Sequence, residues 1–232
     1  MKIIGLIGGM SWESSAVYYR LINEAVTQRL GGLHSAEMLL WSVDFEPHEQ
    51  MQRAGDWDAA GAPLVEIARR LEGAGAEVLI LCTNTMHKVA PAIEAAVEVP
   101  FLHIADATGE AIRREGMGRV GLLGTAFTME QDFYRGRLAE RHGVEVLIPE
   151  AADRRIVHDV IYDELCRGRI EDASRAEYVR IIGQMQRDGA EGVILGCTEI
   201  PMLIRPEDSP IPVFDTTDIH AQKAVQYALD GA

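Results

Sequence analysis

Runs of consecutive apolar residues recur along the chain, separated by longer amphipathic stretches. The runs are KIIGLI (2–7), EMLLWSV (37–43), EVLILC (77–82), PFLHI (100–104), RVGLL (119–123), VEVLI (144–148), GVILG (192–196) and IPVFD (211–215). They are mostly continuous rather than alternating, which predicts parallel strands covered on both faces. Between them, SAVYYRLINEAVTQRL (15–30), AAGAPLVEIARRLEGAG (59–75) and DASRAEYVRIIGQMQRDGA (172–190) carry helical periodicity. The second closes on a glycine-rich stop and the third opens at Asp172 as a cap. Strand–helix alternation throughout predicts an α/β fold.

The pattern also repeats. GAEVLILCTNT from Gly75 and GAEGVILGCTE from Gly189 align without a gap, setting Thr83 against Cys197. IGLIGG echoes VGLLGT, and VPFLHI echoes IPVFD, in the same order along the chain. Three ordered echoes predict two similar lobes related by a pseudo-two-fold axis. Each lobe is a mainly parallel four-stranded sheet flanked by helices, and the active site is expected in the cleft between them. The expected boundaries are residues 1–105 and 106–215, with a C-terminal helix at 216–232 packing across the lobes. In open α/β sheets, sites form beyond the carboxyl ends of strands. Residues 83–85 and 197–199 are at such ends, so Thr83 and Cys197 are expected on opposite walls.

Composition narrows the chemistry. The formal net charge of −14 lacks the basic face that nucleic acid requires. The opening apolar run is too short for a secretory segment or a membrane span. Three widely spaced cysteines make no disulfide framework, so a reducing cytoplasm is expected. No Cys-x-x-Cys supports thiol redox chemistry, no spacing suggests a metal site, and GLIGGM lacks the full dinucleotide fingerprint. Cys82 is expected in the core, because neighbouring strand residues point to opposite faces. Cys166 sits near a helix end, where packing is its simplest role. His87 follows TNTM as a cap or an orienting group.

Inverting a stereocentre by proton transfer needs a base on one face of a planar carbanion and an acid on the other. One proton-transfer group per lobe meets that need. Cysteine suits the task, since a helix N-terminus can lower its pKa. The donors of TNT and CTE are suited to a substrate carboxylate at the starts of the following helices.

IGLIGGMSWES, CTNTMH, LHIADATG, LLGTAFTMEQDFYRGRL and GCTEI together resemble the aspartate/glutamate racemase family, over essentially the whole chain. They are most similar to its L-aspartate/glutamate-specific bacterial branch. The resemblance implies a two-lobed racemase that interconverts L- and D-aspartate, glutamate or a related amino acid without pyridoxal phosphate or another cofactor, as a homodimer. The family usually has a catalytic cysteine directly before Asn-Thr in the first lobe. Here that position is Thr83, an arrangement also found in the L-specific branch. A threonine hydroxyl is a far weaker acid than a thiol. Cys197 is therefore expected to remove the α-proton of the L-enantiomer as thiolate, and Thr83 to deliver one to the opposite face. By the same resemblance Met10, Gln52, Asn84, Thr85, Thr198 and Glu199 bind substrate. Gln52 stands where relatives that read acidic side chains carry a basic residue, and Arg53 is adjacent, so a neutral or broader substrate range stays open. A maleate isomerase or hydantoin racemase of the same superfamily, or an amino-acid-binding protein with weak catalysis, are the alternatives.

Overall fold

The computed structural model describes residues 1–230. It contains eight strands: β1 (Ile4–Gly8), β2 (Met38–Ser42), β3 (Val78–Leu81), β4 (Phe101–Leu102), β5 (Arg119–Gly124), β6 (Glu145–Leu147), β7 (Gly192–Gly196) and β8 (Val213–Asp215). All eight coincide with the apolar runs. They form two four-stranded sheets of the same internal order, β2-β1-β3-β4 and β6-β5-β7-β8. Every pairing is parallel. The chain divides into two compact units, one of residues 1–104 with the residues from Thr217 onward, the other of Ala105–Thr216.

In the first unit the sheet is covered on both faces, and alternation sorts its residues between them. Ile4, Leu6, Val78, Ile80 and Cys82 face α1 (Trp12–Leu30) and α11 (Thr216–Leu229). Ile7, Leu79 and Leu81 face α3 (Trp57–Gly73). Gly5 lies on the α3 side, where a Cβ would sit 2.5 Å from Leu79 Cδ2 and 2.9 Å from Ala76 Cβ. Its bare backbone lets the helix lie close. The sequence reading sets residues 216–232 apart as a C-terminal helix. From Thr217 on this helix belongs to the first unit, where Ala221, Ala224 and Val225 are buried; residues 231 and 232 lie outside the described residues.

Helix starts depart from the predicted ones for local reasons. Helix α1 begins three residues early because Ser11 caps it, accepting from the Ser14 N–H at 3.3 Å. Helix α9 (Asp172–Arg187) takes Glu171, not Asp172, as its N-cap, and no side chain caps it. Asp172 instead sits in the first turn and pairs with Arg175 at 2.7 Å.

In the second unit, α5 (Ile104–Arg114) is tied to α7 (Asp132–His142) by Asp106. Its carboxylate accepts two bonds from Arg137, at 2.9 and 2.6 Å, and a third contact from His142 at 3.2 Å. Burial alone would raise the Asp106 pKa, but Arg137, His142 and Arg141 outweigh it and hold the carboxyl below its ordinary value. Gly109 fits beneath the His142 ring, which a Cβ would strike at 2.4 Å. Among the described residues no helix is long and apolar enough to cross a membrane.

Candidate active site

Most of the buried polar side chains collect just beyond the carboxyl ends of strands. In the first unit these are Ser14 and Ser15 after β1, Asn84, Thr85 and His87 after β3, and His103 after β4. In the second they are Thr125 and Thr128 after β5, Glu199 after β7 and Thr216 after β8. Burying polar groups costs free energy unless they are bonded, so such concentrations mark where a parallel sheet does chemistry.

The β1–α1 connection is held tightly. Gly9 has φ of 95°, and a Cβ there would lie 2.3 Å from the Val43 nitrogen. Its N–H donates to Ser15 Oγ at 2.7 Å. Met10 follows and is buried in the cluster that contains Leu81 and Met86, against which Phe45 and Met51 of α2 (Phe45–Ala54) also pack. The core thus sets Met10 beside the residues that flank Thr83–Thr85.

After Leu81 the strand ends. Cys82 is fully buried in the α1 and α11 layer, and burial pushes its thiol well above the ordinary range. Its carbonyl accepts from Ser14 Oγ at 3.0 Å. Thr83, half-buried, turns its N–H to the Leu81 carbonyl at 2.9 Å. A 3₁₀ turn (Thr85–Val89) follows, with Asn84 as its cap and Asn84 and Thr85 buried. Gln52 is buried on α2 one turn from His48, which is also buried and whose pKa is lowered by desolvation. Arg53 is exposed and pairs with Glu49 on its own helix, so its charge is spent there.

After β7 the chain presents Cys197, Thr198 and Glu199. Cys197 is half-buried, and its Sγ–H donates to Glu199 Oε2 at 3.0 Å. Thr198 Oγ1 donates to the same oxygen at 3.1 Å. Glu199 is buried, with 8 % of its surface exposed. Burial first, and then the Glu199 charge and hydrogen bond, push this thiol's pKa well above the usual range. A backbone hydrogen bond from Glu199, at the start of the next helix, does lower it, but is outweighed. The following helix, α10 (Ile200–Leu203), is a single turn. At rest Cys197 is therefore a thiol with a carboxylate beside its proton. Glu199 Oε2, in the motif expected to bind a carboxylate, accepts from both Cys197 and Thr198.

With Gly5 set against Gly121, as in the sequence echo, strand register keeps Thr83 and Cys197 in step. Gly5 of β1 pairs with Leu79, and Gly121 of β5 pairs with Val193. Thr83 and Cys197 each lie four residues beyond those partners.

Some polar groups escape the sequence reading. His158, on α8 (Ala151–Asp163), accepts from the Ala126 N–H at 3.1 Å, and Thr125 meets Thr128 at 3.2 Å between hydroxyl oxygens. Thr125 has a legible cap pattern, but His158 lies too far along the chain to be linked to it. Among the described residues no group of three or more His, Cys, Asp and Glu is placed to hold a metal ion. A cavity of about 680 Å³ between α3 and the turn after β3, lined by Trp57, Val65 and Lys88, contains none of the expected site residues.

Comparison with known proteins adds a consistent pattern. The profile of the Asp/Glu/Hydantoin racemase family matches residues 7–224. The crystal structure of a candidate Asp/Glu racemase from Yersinia pestis is 56% identical, with a TM-score of 0.94, and covers 99% of this chain and 100% of that one. An aspartate racemase homologue from Pyrococcus horikoshii OT3 is 35% identical, with a TM-score of 0.87 over 98% and 99% of the two chains. A broad specificity amino-acid racemase from Bacillus subtilis (strain 168) is 22% identical over 234 residues, 98% of each chain.

Proposed function

The chain belongs to the Asp/Glu/hydantoin racemase family of isomerases, and on that premise we propose that it interconverts the L- and D-forms of an amino acid by two-base α-proton transfer through Cys197 and Thr83. The equivalent register of these two residues, one in each unit, is the observation that carries the reading.

The chemistry follows from the protonation state at rest. Cys197 passes its thiol proton to Glu199 across the 3.0 Å bond. The thiolate takes the α-proton of the L-substrate, leaving a planar carbanion. Thr83 Oγ–H delivers a proton to the opposite face. Its alkoxide then takes a proton from water, and the hydroxide so formed removes the proton held on Glu199, which restores the Cys197 thiol, the Glu199 carboxylate and the Thr83 hydroxyl. General acid–base catalysis of this kind contributes roughly 10²–10⁴-fold. The reading requires the two units to present Thr83 and Cys197 to one α-carbon. Donors near Asn84, Thr85 and Thr198 bind the α-carboxylate, and Met10 bounds the pocket. A cytoplasmic homodimer acting on a small amino acid is the working form.

Aspartate and glutamate lead the substrate list. Buried Gln52, with Arg53 turned to Glu49, supports a side chain held through an amide and thus a range wider than the acidic pair. A panel of L-amino acids, followed by chiral chromatography in D₂O, tests the proposal. Accumulation of α-deuterated D-amino acid is expected for at least one member. If no amino acid gains α-deuterium, the racemase reading fails and a binding role or another superfamily reaction takes its place.

A further inference from the structure

The structure assigns to His87 the positioning of Thr83, so that the buried imidazole governs inversion without touching substrate; this rests on the role of Thr83 proposed above. The His87 ring is buried, with 1% of the residue exposed. Its Nδ1 lies 2.7 Å from the Thr83 carbonyl oxygen, and its Nε2 accepts from the Ile104 N–H at 3.2 Å. A carbonyl can only accept and a peptide N–H can only donate. The partners therefore set the tautomer, with hydrogen on Nδ1 and a lone pair on Nε2, and the ring is neutral.

That single ring ties the peptide carrying Thr83 to Ile104, two residues beyond β4 and within the same unit. The tie has work to do, because Thr83 lies between β3 and the 3₁₀ turn and belongs to neither. Its β-branched side chain is stiff at χ1, so once the backbone is held the hydroxyl direction is one of very few. The ring is itself held by its neighbours. His103 lies 4.5 Å away and His220 5.8 Å away, centroid to centroid. His220 donates from Nε2 to the Leu102 carbonyl at 2.7 Å and accepts from the Tyr18 hydroxyl at 2.9 Å. A reacting group displaced by about 1 Å loses on the order of 100-fold in rate.

Freeing the Thr83 peptide should impair delivery to one face while sparing proton removal by Cys197. The experiment compares His87→Ala, His87→Phe and His87→Asn with Thr83→Ala in D₂O. The substrate is the L-amino acid racemised fastest in the panel. NMR follows α-deuterium entering the recovered L-form, and chiral chromatography follows the D-form. In His87→Ala and His87→Phe, inversion is expected to fall about 10- to 100-fold, with exchange in the L-form falling less than about 3-fold and KM little changed. The amide of His87→Asn can take the place of Nδ1 and should restore inversion to within several-fold of the native rate. Equal loss of exchange and inversion in folded His87→Phe, or His87→Phe as active as His87→Asn, would overturn the assignment. The two ideas are separable. If Thr83→Ala inverts at the native rate, the role of Thr83 itself is wrong. If Thr83→Ala splits exchange from inversion and the His87 variants do not, only the assignment to His87 falls.

Discussion

Cys197 and Glu199 form the chemical pair on which the account turns. The carboxylate opposes the thiolate by charge and holds the thiol by a hydrogen bond, so it both raises the pKa and waits to receive the proton. Replacing it with a neutral amide removes the charge. In a Cys166→Ser background, which silences the exposed cysteine, Glu199→Gln should move the pH midpoint of Cys197 alkylation by iodoacetamide downward. Turnover should fall about 10- to 100-fold for want of a proton acceptor. An unmoved midpoint would mean that Glu199 does not control the thiol. Sequence makes the burial of Cys82 legible, because strand alternation turns it to the α1 and α11 face. It leaves the protonation state of Cys197 illegible, since that depends on burial and on where the Glu199 side chain turns.

At the scale of elements, two joints decide whether the loops stay in place. Gly9 combines a left-handed backbone with contact against the Val43 main chain. Gly9→Ala is expected to cost about 2–3 kcal/mol from strain alone, read as a lower denaturation midpoint; a midpoint within error of the native one would contradict the close approach. The Asp106–Arg137 lock makes a second test. Its carboxyl pKa is depressed in the folded state, so its stabilisation is present above the unfolded-state pKa and is lost as pH falls through the folded one. Asp106→Asn should lower the Tm at neutral pH by roughly 2–4 °C, for a loss of about 1 kcal/mol. The deficit should shrink in acid, and a deficit that is constant with pH would argue against an ionic lock. Strand positions are plain in the sequence because each is a short apolar run between helices. Helix starts are less so: Ser11 caps α1 with its side chain, while α9 begins after Glu171 with no side-chain cap, one residue before the Asp172 that the pattern favours. The Asp106 lock spans α5 and α7 and has no local signature.

Across the whole molecule, the same strand order occurs twice, and each unit carries one candidate proton-transfer residue. All three tryptophans, Trp12, Trp41 and Trp57, lie in the first unit, so their fluorescence reports its unfolding separately. That unit also buries His220, whose pKa desolvation lowers to about 4 against the Leu102 hydrogen bond. The folded pKa lies below the unfolded one, so stability is complete above about pH 6.5 and falls as pH drops toward about 4. The loss is on the order of 3 kcal/mol at most. Denaturant midpoints followed by tryptophan fluorescence should decline through this window in the native protein. They should be flatter in His220→Gln, whatever its stability at neutral pH; equal slopes would contradict a buried neutral imidazole.

The division of labour between the units is tested most directly by following α-deuterium and inversion together in Cys197→Ser and Thr83→Ala with the L-amino acid as substrate. Cys197→Ser should lose both, by about 1,000-fold, while Thr83→Ala should keep exchange in the L-form and lose the D-product. Exchange that persists in Cys197→Ser, or inversion that persists in Thr83→Ala, would contradict the account.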